Sequence, residues 1–276
     1  MNNISVFIEV YNESHRLESC LKCFTWADEL VVFVKESTDN TFEIAKQYAT
    51  HVYAVPYCEG SENVVMNLKK HDFKEWIMFI TASSLIDPDL VDEVIKLTSN
   101  PTSDYDIIGL PYNMYVMGVT GNKSPWSIPY KYPLVKKSIV QVCDKLHCEI
   151  SYNSTLIYRI PHDSVKGRFY HLTHYSPEDM FMRHIRYVKY ETHWNMLKSD
   201  NVYENAFYQL LQSVWYVIKH GIVFRGRKGF IMSISYVSYW AMLLINTWYA
   251  KYGLPDIYSD IRKVNLKKWS IYHRDK

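Results

Sequence analysis

Glycine is scarce in this chain, nine residues of 276, and no two or three of them form a cluster that could wrap a phosphate. A glycine-rich nucleotide loop is therefore excluded. Carboxylates are absent at the end of one apolar run, where residues 75–80 lead into Thr81-Ala82-Ser83-Ser84. Two hydroxyls alone hold a hard divalent cation weakly. The cysteines, Cys20, Cys23, Cys58, Cys143 and Cys148, are five in number and follow no framework spacing, which predicts a reducing compartment. Cys20 and Cys23 fall at helical spacing with Leu17, Leu21 and Phe24, so they read as packing residues, and no second Cys-x-x-Cys exists to complete a zinc site. The start of the chain shows no basic stretch followed by a long apolar run, so no cleavable signal is expected. A net charge of +2 and a pI near 8.1 argue against a nucleic-acid partner.

What is present is a chain 48% apolar, enough for a sizeable core. Its first hundred residues alternate strand-like and helix-like patterns at short intervals. Residues 4–10, 29–34, 51–55 and 75–80 are apolar runs, and residues 13–24, 41–48 and 90–97 have helical spacing. Such alternation predicts crossover connections and a mostly parallel sheet covered on both faces. Asp87 and Pro88 stand where a cap and a first helical position belong. A turn-rich break at residues 99–103 separates this half from a strand-rich, aromatic stretch at 105–158, with a mobile loop expected at 118–126. A helical block opens at Ser176-Pro177-Glu178-Asp179, where serine caps and the acids meet the positive end of the helix dipole.

Residues 229–250 carry no charge, a length sufficient for a membrane span. Ser233, Ser235, Ser238, Asn246 and three tyrosines dilute the run, and Trp240 and Trp248 lie inside it. With Arg225, Arg227, Lys228 and Lys251 at its flanks, an interfacial helix fits this mixture, a core helix and a span being the alternatives. Basic residues thicken toward the end of the chain, through Arg262, Lys263, Lys267, Lys268, Arg274 and Lys276, which favours an anionic membrane surface as partner.

Residues 5–13, an apolar strand ending in Asn12-Glu13, resemble the first strand and turn of inverting family 2 glycosyltransferases. Trp26-Ala27-Asp28-Glu29-Leu30-Val31-Val32, followed by Ser37-Thr38-Asp39-Asn40-Thr41, is similar to their second strand and its polar loop. His174-Tyr175-Ser176 and the helices after it resemble the branch that builds lipopolysaccharide cores and similar envelope glycans. The resemblance implies an α/β chain of GT-A type, a mostly parallel sheet flanked by helices. Its expected parts are a nucleotide-sugar half at residues 1–100, an acceptor half at 101–175 and a C-terminal helical, membrane-associating extension at 176–276. A nucleotide-sugar donor, a glycan or glycolipid acceptor and a cytoplasmic, peripheral place at the inner membrane surface follow as expectations.

The donor site then belongs at the carboxyl ends of the parallel strands, at Val10, Asn12, Glu13, Lys35, Asp39, Thr81 and Ser83. Ser37-Thr38-Asp39 is also an ordinary helix-capping sequence, and the two uses are compatible. Three positions depart from the family pattern. Val34 stands where the second strand commonly ends in aspartate, Thr81-Ala82-Ser83 aligns with the acidic Asp-x-Asp motif, and Val65 or its neighbours with a common arginine. Their shared consequence is that no divalent cation is expected to be required, and lysine or arginine can neutralise the diphosphate instead. Candidates are Lys35, Lys136, Lys137, Lys166 and Arg168, with His171 and His174 close by, although each lysine also reads as a solvated surface charge. The two histidines, three apart, read as a hydrogen-bonded pair and not as a metal site. Glu149 is the expected catalytic base and Asp144 the second candidate, with His147 able to orient either; an exposed strand end is the plainer reading of all three. A catalytically degenerate scaffold retaining the fold is the competing function, and nucleotidyl transfer a third.

Overall fold

The computed structural model describes residues 3–57, 67–100, 104–141, 151–253 and 256–272. In chain order the first half contains β1 (Ile4–Val10), α1 (Ser14–Lys22), β2 (Glu29–Lys35), α2 (Thr41–Tyr48), β3 (His51–Val55), β4 (Trp76–Ile80), β5 (Ser84–Ile86) and α3 (Pro88–Thr98). The second half contains β6 (Ile107–Val116), β7 (Tyr130–Lys136), β8 (Val140–Gln141), β9 (Ser151–Tyr152), β10 (Ile157–Arg159) and β11 (Phe169–Thr173). Four helices close the chain: α4 (Pro177–Lys198), α5 (Val202–Lys219), α6 (Gly226–Tyr252) and α7 (Ile257–Tyr272).

The main sheet runs β3-β2-β1-β4-β7-β6-β11-β5, with β10 also paired to β6. Strands β3, β2, β1 and β4 are parallel to one another, as the alternating pattern predicts. β7 enters antiparallel between β4 and β6, and β5 pairs antiparallel with β11, so the sheet is mixed. β1 is apolar apart from Ser5 and Glu9 because both its faces are covered. Val6, Ile8 and Val10 pack with Leu17 and Leu21 of α1 and with Phe24 just after it, while Phe7 meets Phe33, Phe73 and Phe79 on the other side. Burying each such side chain contributes about 1.5–3 kcal/mol. Cys20 is wholly buried in the same layer and is a free thiol, in keeping with its packing role.

Two local expectations need correction. Asp87 occupies the position before α3, but its side chain makes no cap bond; its Oδ2 accepts instead from the Arg168 amide and the Tyr170 hydroxyl, because β11 passes within reach. The stretch at 118–126 is not a bare loop. A bridge between Val116 and Val119 and a 3-10 turn at Gly121–Lys123 shape it, and the Arg225 guanidinium donates to the Asn122 carbonyl. By contrast Ser176 caps α4 as its sequence predicts, accepting from the Asp179 amide at 3.1 Å.

α6 is long and apolar enough to cross a membrane by length and composition alone. It packs against α4 and α5; of the polar residues that dilute it, Asn246 donates to Thr192 of α4 at 2.9 Å, and Ser233 donates within the helix to the Gly229 carbonyl. Gly229 is required there, since a Cβ would stand 2.3 Å from the Ile222 carbonyl oxygen. Phe230, Ile231, Ile234, Ile245 and Tyr249 of this helix are exposed. α7 buries no residue, and Ile257, Ile261, Val264 and Ile271 share one exposed face by helical spacing.

Candidate active site

β1 ends at the buried Val10, and the chain turns through Asn12 in the left-handed region at φ 52°. Asparagine tolerates that conformation, and here its Oδ1 accepts from the Thr38 amide at 2.8 Å. The Ser37 hydroxyl accepts from the Asn12 amide and donates to the Lys35 carbonyl. Thr41 Oγ1 accepts from the Glu13 amide at 2.8 Å and donates to Asp39 Oδ1. Asp39 also accepts from the amides of Ser14 at 3.1 Å and Thr41 at 3.0 Å, so one carboxylate serves the first turns of both α1 and α2. Partial burial would raise this carboxyl, but the bonds from Thr41 and Ser14 prevail and bring its pKa down to about 2. The loops after β1 and β2 are thereby stitched into one rigid corner at the carboxyl ends of the strands.

Beside the corner lies an ion pair that the sequence reading did not single out. Arg16 holds Glu13 by two parallel bonds of 2.5 Å, with side-chain exposures of 7% and 16%. Its Nη1 is buried without a partner among the described residues, and the guanidinium lies 5.6 Å from the Tyr175 ring centre. The spacing Glu13-x-x-Arg16 at a helix start was the available signal. Across the corner, Thr81 Oγ1 lies 2.9 Å from Ser83 Oγ and 3.2 Å from Ser84 Oγ. α1 touches this turn through Cys20, whose thiol reaches the Thr81 carbonyl.

β11 brings the histidines alongside. His171 is paired opposite Ser84, and the Leu172 amide donates to the Ser83 carbonyl. The His171 Nδ1 lies 3.0 Å from the Tyr112 hydroxyl, and burial, with Lys131 and Arg16 adding repulsion, lowers its pKa to about 4. His174, at φ 53° where β11 meets α4, is buried with Nδ1 unpartnered among the described residues. Its ring stands 5.2 Å from His184, which stands 5.0 Å from Tyr239 of α6. These are ring contacts between His174 and His184, whereas His171 is engaged with Tyr112, and no bond joins His171 to His174 among the described residues.

Of the other expected phosphate groups, Lys35 ends β2 at the corner, while Lys136, Lys137, Lys166 and Arg168 lie elsewhere. Lys35 pairs with Glu9 at 2.7 Å, both nearly buried. Lys136 pairs with Asp106 at 3.2 Å and Lys137 with Asp72; both stand at the amino-terminal edge, where Trp76 opens β4 opposite Lys136. Arg168 donates to the carbonyls of Val165, Lys166 and Gly167, beside the exposed Lys166 and away from the corner. Asp144, His147 and Glu149 lie outside the described residues.

On the far side of Tyr112 a cleft of about 360 Å³ opens between the 121–129 segment and α5. Its walls include Asn113, Ser124, Ser127, His162, Tyr216 and Arg225, and the Ser124 and Ser127 hydroxyls are buried without partners among the described residues. Sequence pattern gave no sign of this cleft, because its walls come from distant segments.

A divalent cation fits the Thr81-to-Ser84 turn poorly. The turn offers hydroxyls already bonded to one another, and the nearby carboxylates of Glu13 and Asp39 are committed to Arg16 and to backbone amides.

Comparison with known proteins bears on this geometry. An uncharacterized glycosyltransferase of Rickettsia bellii (strain RML369-C) is 31% identical over 104 residues, 37% of this chain and 34% of that protein. The aligned part thus spans about a third of the relative's length. The mannosyltransferase from Pyrobaculum calidifontis, solved in complex with GDP-Man and Mn2+, superposes with a TM-score of 0.51 at 11% identity, covering 90% of this chain and 88% of that one. That likeness establishes a shared GT-A-like fold. Glucosyl-3-phosphoglycerate synthase from Mycobacterium tuberculosis matches over 41% of this chain and 44% of its own, at 20% identity and a TM-score of 0.31. The family profile described as glycosyl transferase family 2 matches residues 5–160, more than half of the chain. The chain belongs to glycosyl transferase family 2.

Proposed function

We propose that this chain transfers a sugar, with inversion, from a nucleotide-sugar donor to a lipid-linked or envelope glycan at the cytoplasmic face of a membrane. The observation that carries the reading is the corner of Asn12, Ser37, Asp39 and Thr41 at the carboxyl ends of β1 and β2, with a buried arginine beside it. Residues 1–100 would hold the donor and residues 101–175 the acceptor. The cleft beyond Tyr112, rich in unpaired hydroxyls, suits a sugar whose own hydroxyls need partners.

In the proposed reaction the acceptor hydroxyl gives its proton to Glu149, with Asp144 as the second candidate, and its oxygen attacks the anomeric carbon. The bond to the diphosphate breaks on the opposite face, and the leaving group departs with the electron pair. Arg16, beside the corner, would take the phosphate charge, and its fork suits that geometry. The hydroxyl chemistry at residues 81–84 supports a metal-independent reading, in contrast to the solved mannosyltransferase with its Mn2+. Transfer measured after exhaustive chelation should persist, whereas restoration only by added Mn2+ would refute the metal-free mechanism. Glu149→Gln should abolish transfer while leaving donor binding intact, and a fully active variant would remove that residue from the mechanism.

The exposed apolar faces of α6 and α7, with Arg262, Lys263, Lys267 and Lys268 on the latter, support docking on an anionic membrane. Vesicle cosedimentation should fall when residues 257–276 are deleted; undiminished binding would remove α7 from the membrane contact. A non-catalytic scaffold is the second reading, favoured by the internal satisfaction of the Thr81, Ser83 and Ser84 hydroxyls. Calorimetry against uridine, cytidine, guanosine and thymidine diphosphate sugars separates the two, because the scaffold requires that none bind.

A further inference from the structure

We propose that Glu29, His51 and His71 form a binding site for a borderline divalent transition-metal ion, of which zinc fits the ligand set, at the amino-terminal edge of the sheet. Glu29 opens β2, His51 opens the neighbouring β3, and His71 lies in the segment that returns to β4. One ligand atom from each falls within 4.8 Å of the other two. In a tetrahedral zinc site with bonds near 2.0–2.1 Å, adjacent ligand atoms stand about 3.3 Å apart. His71 Nε2 and Glu29 Oε2 are separated by 3.3 Å, with side-chain exposures of 8% and 12%.

The surrounding groups hold these ligands in place as metal sites require. The Tyr53 hydroxyl lies 3.0 Å from His71 Nδ1 and fixes the ring with Nε2 toward Glu29. Wholly buried Ser5 accepts from the Lys74 amide and donates to Glu29 Oε2 at 2.6 Å. The His51 ring centre is 4.7 Å from that of His71. Burial opposes ionisation of Glu29, but Ser5, His71 and Lys74 outweigh it and hold its pKa below the usual value, so the carboxylate is charged at neutral pH. Lys74 Nζ takes the other oxygen, Oε1, at 3.2 Å from a side chain 40% exposed. It leaves Oε2 available while adding a repulsive charge. Two imidazoles with one carboxylate select zinc and its neighbours over Mg2+ and Mn2+, which prefer oxygen ligands. Three protein ligands leave a fourth position for water.

Such an ion would tie the starts of β2 and β3 to the segment before β4, independently of donor chemistry at the opposite edge. The experiment is thermal unfolding of the full chain with and without Zn2+, beside competition for Zn2+ against a chromogenic chelator. Wild type should gain melting temperature with Zn2+ and not with Mn2+. His51→Ala should lose that gain and bind Zn2+ about tenfold more weakly, while Lys74→Met should bind it more tightly. His51 lies on an edge strand, so its loss leaves the core intact; His71→Gln supplies an independent ligand removal. The absence of a Zn2+ gain in wild type, or its survival in both histidine variants, overturns the site.

Discussion

The two edges of one sheet use the same residue types in opposite ways. At the carboxyl edge of β1, β2 and β4, Asn12, Asp39, Thr41 and Glu13 spend their polar atoms on backbone amides and on one buried arginine, leaving a preformed corner. At the amino edge, Lys136, Lys137 and Lys74 meet Asp106, Asp72 and Glu29 as side-chain ion pairs. Charge is paired side chain to side chain at the second edge, whereas the first is the proposed donor site. A buried, partly unsatisfied guanidinium is worth more to an anion than an exposed lysine already paired.

Arg16→Met puts this contrast to its hardest test. Transfer should fall about 100-fold, and stability by about 3–5 kcal/mol, because Glu13 is left charged and largely buried. Arg16→Lys, which keeps the charge without the fork, should recover part of the stability but little of the transfer. Wild-type transfer by either variant, with an unchanged urea midpoint, would erase the distinction between the edges.

His171→Gln should have an intermediate effect. Its imidazole has an unperturbed pKa near 6.5, and burial beside Lys131 and Arg16 lowers it to about 4 in the fold. Because the folded pKa is depressed, the neutral ring contributes stability above about pH 6.5, and that contribution is lost as pH falls toward 4. Removing the ring should cut the acid-side loss between those values by about 2–3 kcal/mol, read from urea midpoints across that range. An unaltered pH profile would place the titration elsewhere, with His184, also lowered to about 4 by burial, the next ring to replace.

Lys137→Ala should do least. Its partner Asp72 is 94% exposed and its own side chain 48%, so stability should scarcely move and transfer should not change. A large loss of transfer would give the amino edge a role in donor binding.

Much of the first half was legible before the fold was known. Residues 4–10, 29–34, 41–48 and 51–55 coincide with β1, β2, α2 and β3 to within a residue, because each segment's period states which faces it buries. β5 was not legible: three residues carry no period, and the strand exists only because β11 passes beside it. The Asn12 and Asp39 corner was legible in kind, whereas Arg16 was not, since its burial depends on β11 and Tyr175 arriving from far along the chain. Lys136 and Lys137 illustrate the converse. Their position after a strand suggested phosphate, but that strand runs antiparallel to β4, which carries its end to the opposite edge.

The sequence by itself determined the alternation of elements, the apolar layers of the parallel sheet and the replacement of carboxylates by Thr81, Ala82 and Ser83, since all three depend on local order of residue types. Tertiary structure alone decided which charges face the crevice, which pair off, and where Glu29, His51 and His71 meet. Strand direction and register assign each side chain to an edge and a face, and they arise from pairing between segments that are distant in the chain.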